Sequence, residues 1–189
     1  MKSTALFVLL IGCICFFCTE YTPKPKGYFR IEPEPHRYHS ISGDNLFFNF
    51  KASDLAKISY SPITDSVMWV SLHYPRFKAT IYCNYIPLSE ITLEEAIGEC
   101  RFLAERQAVA KDEIREKLYT NASSRVYGSL FLLDGSVTPI QFMLTDSVNH
   151  FLRGALYYEC PLNTDSLSPV TIYLEQDIME LIQSFNWKE

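Results

Sequence analysis

The chain has 189 residues, 48% hydrophobic and 14% aromatic, with a formal net charge of −5. That mix is globular rather than disordered, and the length suits one domain with a sizeable core. The acidic balance argues against nucleic acid or an anionic lipid surface as partner, since both reward basic patches.

The first eighteen residues read as an export signal. Lys2 supplies the charged start, Ala5–Gly12 is unbroken and apolar, and cysteines follow at Cys13, Cys15 and Cys18. The apolar core is shorter than the roughly 20 residues that span a bilayer comfortably. Leu10-Ile11-Gly12-Cys13 has the form of a bacterial lipobox, in which the signal is cut before a cysteine that is then lipidated. Cys13 has the better local chemistry, because Gly12 is small. Cys18 has the better position, where apolar sequence gives way to Thr19-Glu20-Tyr21. The expectation is a leader over residues 1–18, cut before Cys13 or Cys18, and a domain tethered by acyl chains outside the cytoplasm.

Residues 19–45 read as a membrane-proximal arm. Pro23, Pro25, Pro33 and Pro35 favour extended backbone, and Gly27–Ile31 has the character of a short strand. Tyr21, Lys24, Lys26, Tyr28 and Arg30 make the arm a candidate docking strip as well as a spacer.

The domain is expected over residues 46–189. Leu46–Phe50 alternates as a strand should. Val67–Tyr74 and Lys78–Tyr85, joined through Pro75-Arg76-Phe77, predict a hairpin with Ala79, Ile81, Cys83 and Tyr85 on one face. Thr92-Leu93-Glu94-Glu95 is a capping box, and Leu93, Ala96, Ile97, Cys100 and Ala104 recur at helical spacing. That predicts a helix from about Leu93 to at least Ala108. Lys111–Tyr119 suits an exposed helix or, over Ile114–Tyr119, a strand. Arg125–Leu133 and Val137–Thr145 flank Asp134-Gly135, a hairpin signal. Phe151–Glu159 predicts a further strand. Pro169–Trp187, capped by Ser168, predicts a closing amphipathic helix with Leu174, Ile178, Leu181 and Phe185 as its stripe. The sum is an α+β domain, a mostly antiparallel sheet with packed helices.

Chemistry-bearing patterns are sparse. No Gly-Xaa-Ser-Xaa-Gly elbow, His-Glu-Xaa-Xaa-His, P-loop or dinucleotide fingerprint occurs, and the seven glycines leave little room for a phosphate cradle. His36 and His39 lack an acid at metal-ligand spacing. Ser136 or Ser147 with His150 is the nearest approach to a seryl arrangement, and such spacing is common by chance. Outside the leader, Cys83, Cys100 and Cys160 are odd in number, so at most one disulfide forms. No catalytic, cofactor-binding or metal-ligating residue is expected, and no enzyme activity. The distinctive residue is Arg153, inside an apolar strand, because a buried charge needs a partner. Asp146 and Asp165 are the nearest acids. The three are read first as a structural bridge, second as a recognition site.

Several strings resemble one family. Tyr21–Ile31, Gln141-Phe142 through Thr145-Asp146-Ser147, Phe151–Tyr157, Asn163–Leu167 with Pro169-Val170, and Asp177-Ile178 through Lys188 are similar to gliding-motility-associated lipoproteins of the GldD family, from Bacteroidetes. The resemblance spans nearly the whole chain behind the leader. It implies a cell-envelope lipoprotein needed for gliding machinery and type IX secretion, anchored by lipid, with other envelope proteins as partners and no catalytic residues. The family's spacing from lipid cysteine to arm fits Cys18 better than Cys13. Relatives occur in non-gliding gut bacteria, so an envelope or secretion role is implied rather than gliding itself. Inner and outer membrane stay equal alternatives. The order of elements is also similar to a PsbP/Mog1-type sandwich. The other functional expectation is a ligand- or glycan-binding module using exposed tyrosine and tryptophan.

Overall fold

Two antiparallel sheets and two helices build the described part of the chain, so the α+β expectation holds. The computed structural model describes residues 34–61, 67–110, 114–159 and 164–188, all within the unit Ile31–Glu189. The strands are β1 (Tyr38–Ile41), β2 (Phe48–Ser53), β3 (Lys57–Tyr60), β4 (Met68–Tyr74), β5 (Ala79–Pro87), β6 (Ile114–Asn121), β7 (Val126–Leu133), β8 (Ile140–Thr145), β9 (His150–Tyr158) and β10 (Asn186–Trp187). The helices are α1 (Leu93–Gln107) and α2 (Thr164–Gln183). A three-stranded sheet runs β1-β2-β10, and a seven-stranded sheet runs β3-β4-β5-β9-β8-β7-β6.

The large sheet buries residues on both faces. On one face Val70, Leu72, Ile81, Cys83, Leu152 and Leu156 meet Phe48 and Phe50 of β2 and Leu174, Ile178, Leu181 and Phe185. On the other, Phe131, Leu133, Met143 and Phe151 meet Ala96, Cys100 and Ala104 of α1. Those three small residues stand four apart, so one stripe of the helix lies close against the sheet. Its capping box forms as predicted: the Glu95 amide donates to Thr92 Oγ1 at 3.3 Å, and the Thr92 amide donates to Glu95 Oε2 at 3.1 Å. At the other end, Ser136 Oγ donates to the Gln107 carbonyl at 2.8 Å.

Local pattern located most elements. The β4–β5 hairpin pairs Met68 with Tyr85 through Tyr74 with Ala79, and Pro75–Phe77 turns as a 3-10 helix. The ambiguous stretch resolves as β6, because Ile114–Asn121 pairs along its whole length with β7. Gly154 faces Phe142 across β8–β9, and an added Cβ would lie 2.2 Å from that ring. Glycine is required there by close approach, and it brings Arg153 out on the opposite face.

Two expectations need correction. The closing helix starts at Thr164, not Pro169, so Ser168 is no cap. Pro169 removes one ladder bond from an exposed position, while Val170, Leu174 and Ile178 anchor the turns that follow. The helix also ends at Gln183. Ser184 stops it: its amide and its hydroxyl both donate to the Glu180 carbonyl, and its Oγ accepts the Lys51 amide at 2.8 Å. Asn186–Trp187 then pairs with Asn49 and Phe48 as β10. Two strands were unforeseen. Tyr38–Ile41, inside the span read as an arm, pairs with β2 as β1, and Lys57–Tyr60 pairs with β4. Both are short and mostly polar, so neither shows a two-residue alternation strong enough to read.

Candidate functional site

The residues singled out beforehand fall in different places. Cys13, Cys18, Tyr21, Lys24, Lys26, Tyr28 and Arg30 lie outside the described residues, as does the expected strand at Gly27–Ile31. Asp165 lies in the first turn of α2. Asp146 and Arg153 are described, and they serve separate surfaces.

Asp146 ends β8 and organises the turn into β9. Its Oδ1 accepts amides from Val148 at 3.0 Å and from Asn149 and His150 at 2.8 Å each. Burial alone would raise this carboxyl, but the three amides and nearby His150 outweigh it and hold it below the usual range. Ser147 takes a left-handed backbone in that turn, φ 69°. The turn borders a cleft of about 620 Å³, walled also by Asp44, Phe47, Arg125, His150 and Lys188. Behind the His150 wall the Tyr85 hydroxyl lies 2.8 Å from His150 Nδ1, and Trp187 stacks on the His150 ring at 5.1 Å. Burial and the Asp146 charge push the Tyr85 phenol up to about 12. His150 is thus held by Tyr85 and Trp187, and Ser136 is engaged with Gln107 on the α1 side.

Arg153 points to the α1 face of the large sheet, between Met143 of β8 and Asn84 of β5. Its charge acts on the Cys100 thiol, not on Asp146. Helix α1 packs on this face over β7, β8 and β9, and Arg101 reaches Glu116 of β6 at 3.4 Å. Beyond Arg153 no described helix covers the face, and Trp69 and Tyr82 are 52% and 46% exposed. Tyr82 meets Tyr157 edge-on at 5.6 Å.

A third cluster escaped the sequence reading. Asp177 of α2 is buried, and its Oδ1 lies 2.7 Å from His36 Nδ1. The His36 ring stacks on Tyr173 at 4.0 Å, and the Tyr173 hydroxyl donates to the Glu34 carbonyl at 3.1 Å. Burial, then the Asp177 charge, pushes the phenols of Tyr38, Tyr74 and Tyr173 above the usual tyrosine range. The one available signal was an acid at Asp177 in line with Tyr173 and Leu181, on the apolar stripe of α2. The cluster pins residues 34–38 against α2, so the segment that enters the domain is tied to its core.

Cys83 and Cys100 are free and buried on opposite faces of the large sheet. Burial pushes the Cys83 thiol up to about 12, and Cys100 likewise despite the opposing Arg153 charge. Among the described residues no group of three His, Cys, Asp or Glu side chains could hold a metal ion, and no helix is long and apolar enough to cross a membrane.

No curated protein matches the chain. The family model of gliding motility lipoprotein GldD matches it from residue 18 to residue 187. That match covers both sheets, both helices and all three clusters, and the chain therefore belongs to the gliding motility lipoprotein GldD family.

Proposed function

We propose that the protein is a non-enzymatic cell-envelope lipoprotein of Bacteroidetes that supports gliding-motility and type IX secretion machinery through protein contacts. The observation that carries this reading is the family match, which begins at Cys18 and takes in nearly all of the chain behind the leader. Its starting point favours Cys18 over Cys13 as the acylated residue. The leader then ends before the anchor, residues beyond it serve as arm, and the clasp around Asp177 holds His36 against α2. The finer fold reading, a PsbP/Mog1-type sandwich, is supported by a large antiparallel sheet with a helix on each face.

The test is intact mass and acyl labelling of envelope-extracted protein, with Cys13→Ala and Cys18→Ala variants beside it. The expected result is loss of acylation in Cys18→Ala alone, with secretion impaired when the anchor is lost. Absence of acyl groups on the unmodified protein would sink the lipoprotein reading. A second reading, a glycan-binding lipoprotein, draws on the exposed Trp69 and Tyr82. It expects a thermal shift of the protein with envelope glycans, and no shift across them counts against it.

A further inference from the structure

We infer that the open half of the large sheet, built around Trp69, Tyr82, Tyr157 and Arg153, docks an acidic segment of a partner protein. This rests on the reading that the protein works through protein contacts, and it names the surface and the partner's chemistry.

The register sets these side chains on one face. Trp69 pairs with Asn84, which pairs with Arg153, and one row further Ser71, Tyr82 and Ala155 stand side by side. The next row holds His73, Thr80 and Tyr157, with Lys57 of β3 beside His73. Side chains on one face of a strand alternate with those on the other, so these residues all oppose the buried layer of Val70, Leu72, Ile81 and Cys83. An antiparallel face left to water normally carries polar residues. This one carries a half-exposed tryptophan and an exposed tyrosine.

Charge selects the partner. The four strands β3, β4, β5 and β9 contain no Asp or Glu, although the whole chain is acidic at −5. Lys57 and Arg153 lie on the open face, with the imidazole of His73 beside Lys57. Among the described residues Glu159, past the end of β9, lies 3.4 Å from His73, and Glu99 on α1 acts on the Cys100 thiol. A basic, aromatic patch on an acidic protein complements an acidic surface. Tryptophan, tyrosine and arginine are also the residues that concentrate binding energy at protein interfaces. Tyr82 and Tyr157 meet edge to face, which leaves an uneven surface suited to interdigitating side chains rather than a flat platform for a sugar ring.

The test uses the full acylated chain in its own envelope, with a photo-crosslinking amino acid in place of Tyr82 and, as control, in place of the exposed Ile172 on α2. The expected result is a discrete adduct at position 82 and none at 172. Its partner is a protein cross-linked through a peptide rich in Asp and Glu, and the adduct weakens at high salt. Lys57→Glu together with Arg153→Glu cuts its yield at least about tenfold. Arg153 is half-buried, so Lys57→Glu with Trp69→Ala serves as a second variant, both compared at an unchanged thermal midpoint. An adduct to polysaccharide, to a second copy of this chain, or equally at both positions overturns the inference. So does yield indifferent to salt and charge reversal, or no adduct at all. If acylation and secretion are intact while no adduct forms, the face is wrong and the broader reading survives. Missing acylation defeats the broader reading on its own.

Discussion

Asp146 shows how one side chain can hold a turn. Three consecutive amides converge on a single oxygen. Hydrogen bonds to an ionised acceptor are roughly twice as strong as neutral ones. Because the folded-state value is depressed, the stabilisation is fully present above the unfolded value of about 3.9 and is lost as pH falls through the folded value. Asp146→Asn keeps an acceptor oxygen but removes the charge. Urea unfolding should find it less stable by about 1 kcal/mol at pH 7, with the gap closing on acidification below about pH 4. A gap that stays constant with pH would mean that the charge contributes nothing.

At the scale of an element, the end of the chain is the instructive case. Phe185 continues the α2 stripe, so helical periodicity extended the helix to Trp187. The hydroxyl of Ser184 and the free edge of β2 compete with that helix and win. Trp187 then covers His150 and packs edge-on against Phe185 at 4.7 Å, but its Nε1 is buried with no hydrogen-bond partner. The apolar ring stabilises and the unsatisfied N–H costs. Trp187→Ala should therefore lower stability by about 2 kcal/mol. Trp187→Phe should stay within about 1 kcal/mol of the parent, since it removes the orphan donor along with some area. Denaturant midpoints of the two variants decide it; equal losses would show that the indole nitrogen carries no penalty.

For the whole molecule, the large sheet is a partition with a core on each side. Cys83 reports on the face packed by α2 and the small sheet, Cys100 on the face packed by α1. Both thiols are pushed up to about 12, so neither forms appreciable thiolate near neutrality. Alkylation at pH 8 should leave both unlabelled in the native protein and label both in one urea transition. Labelling of Cys100 at lower urea than Cys83 would show that α1 leaves the sheet before the rest unfolds. The open half of the sheet beside α1 belongs to this scale as well, since no single strand reveals which part of a face a helix covers.

Sequence by itself determined what neighbours along the chain decide. The capping box of α1 closes within four residues, the β4–β5 hairpin turns within three, and Asp134-Gly135 marks the turn after β7, with Gly135 at φ 73°. The strings quoted from Tyr21–Ile31 and from Gln141 to Lys188 also pointed to the family to which the chain belongs. Tertiary structure decided the rest, because the choice depended on residues far apart in sequence. β6 became a strand because β7 offered it an edge, and β1 and β10 formed on the two edges of β2. Asp177 gained its meaning only when His36, 141 residues away, closed on it. Arg153 was read as half of a bridge to Asp146 or Asp165. The pleat sends it to the opposite face from its neighbours in the core, where α1 ends and the aromatic rows begin.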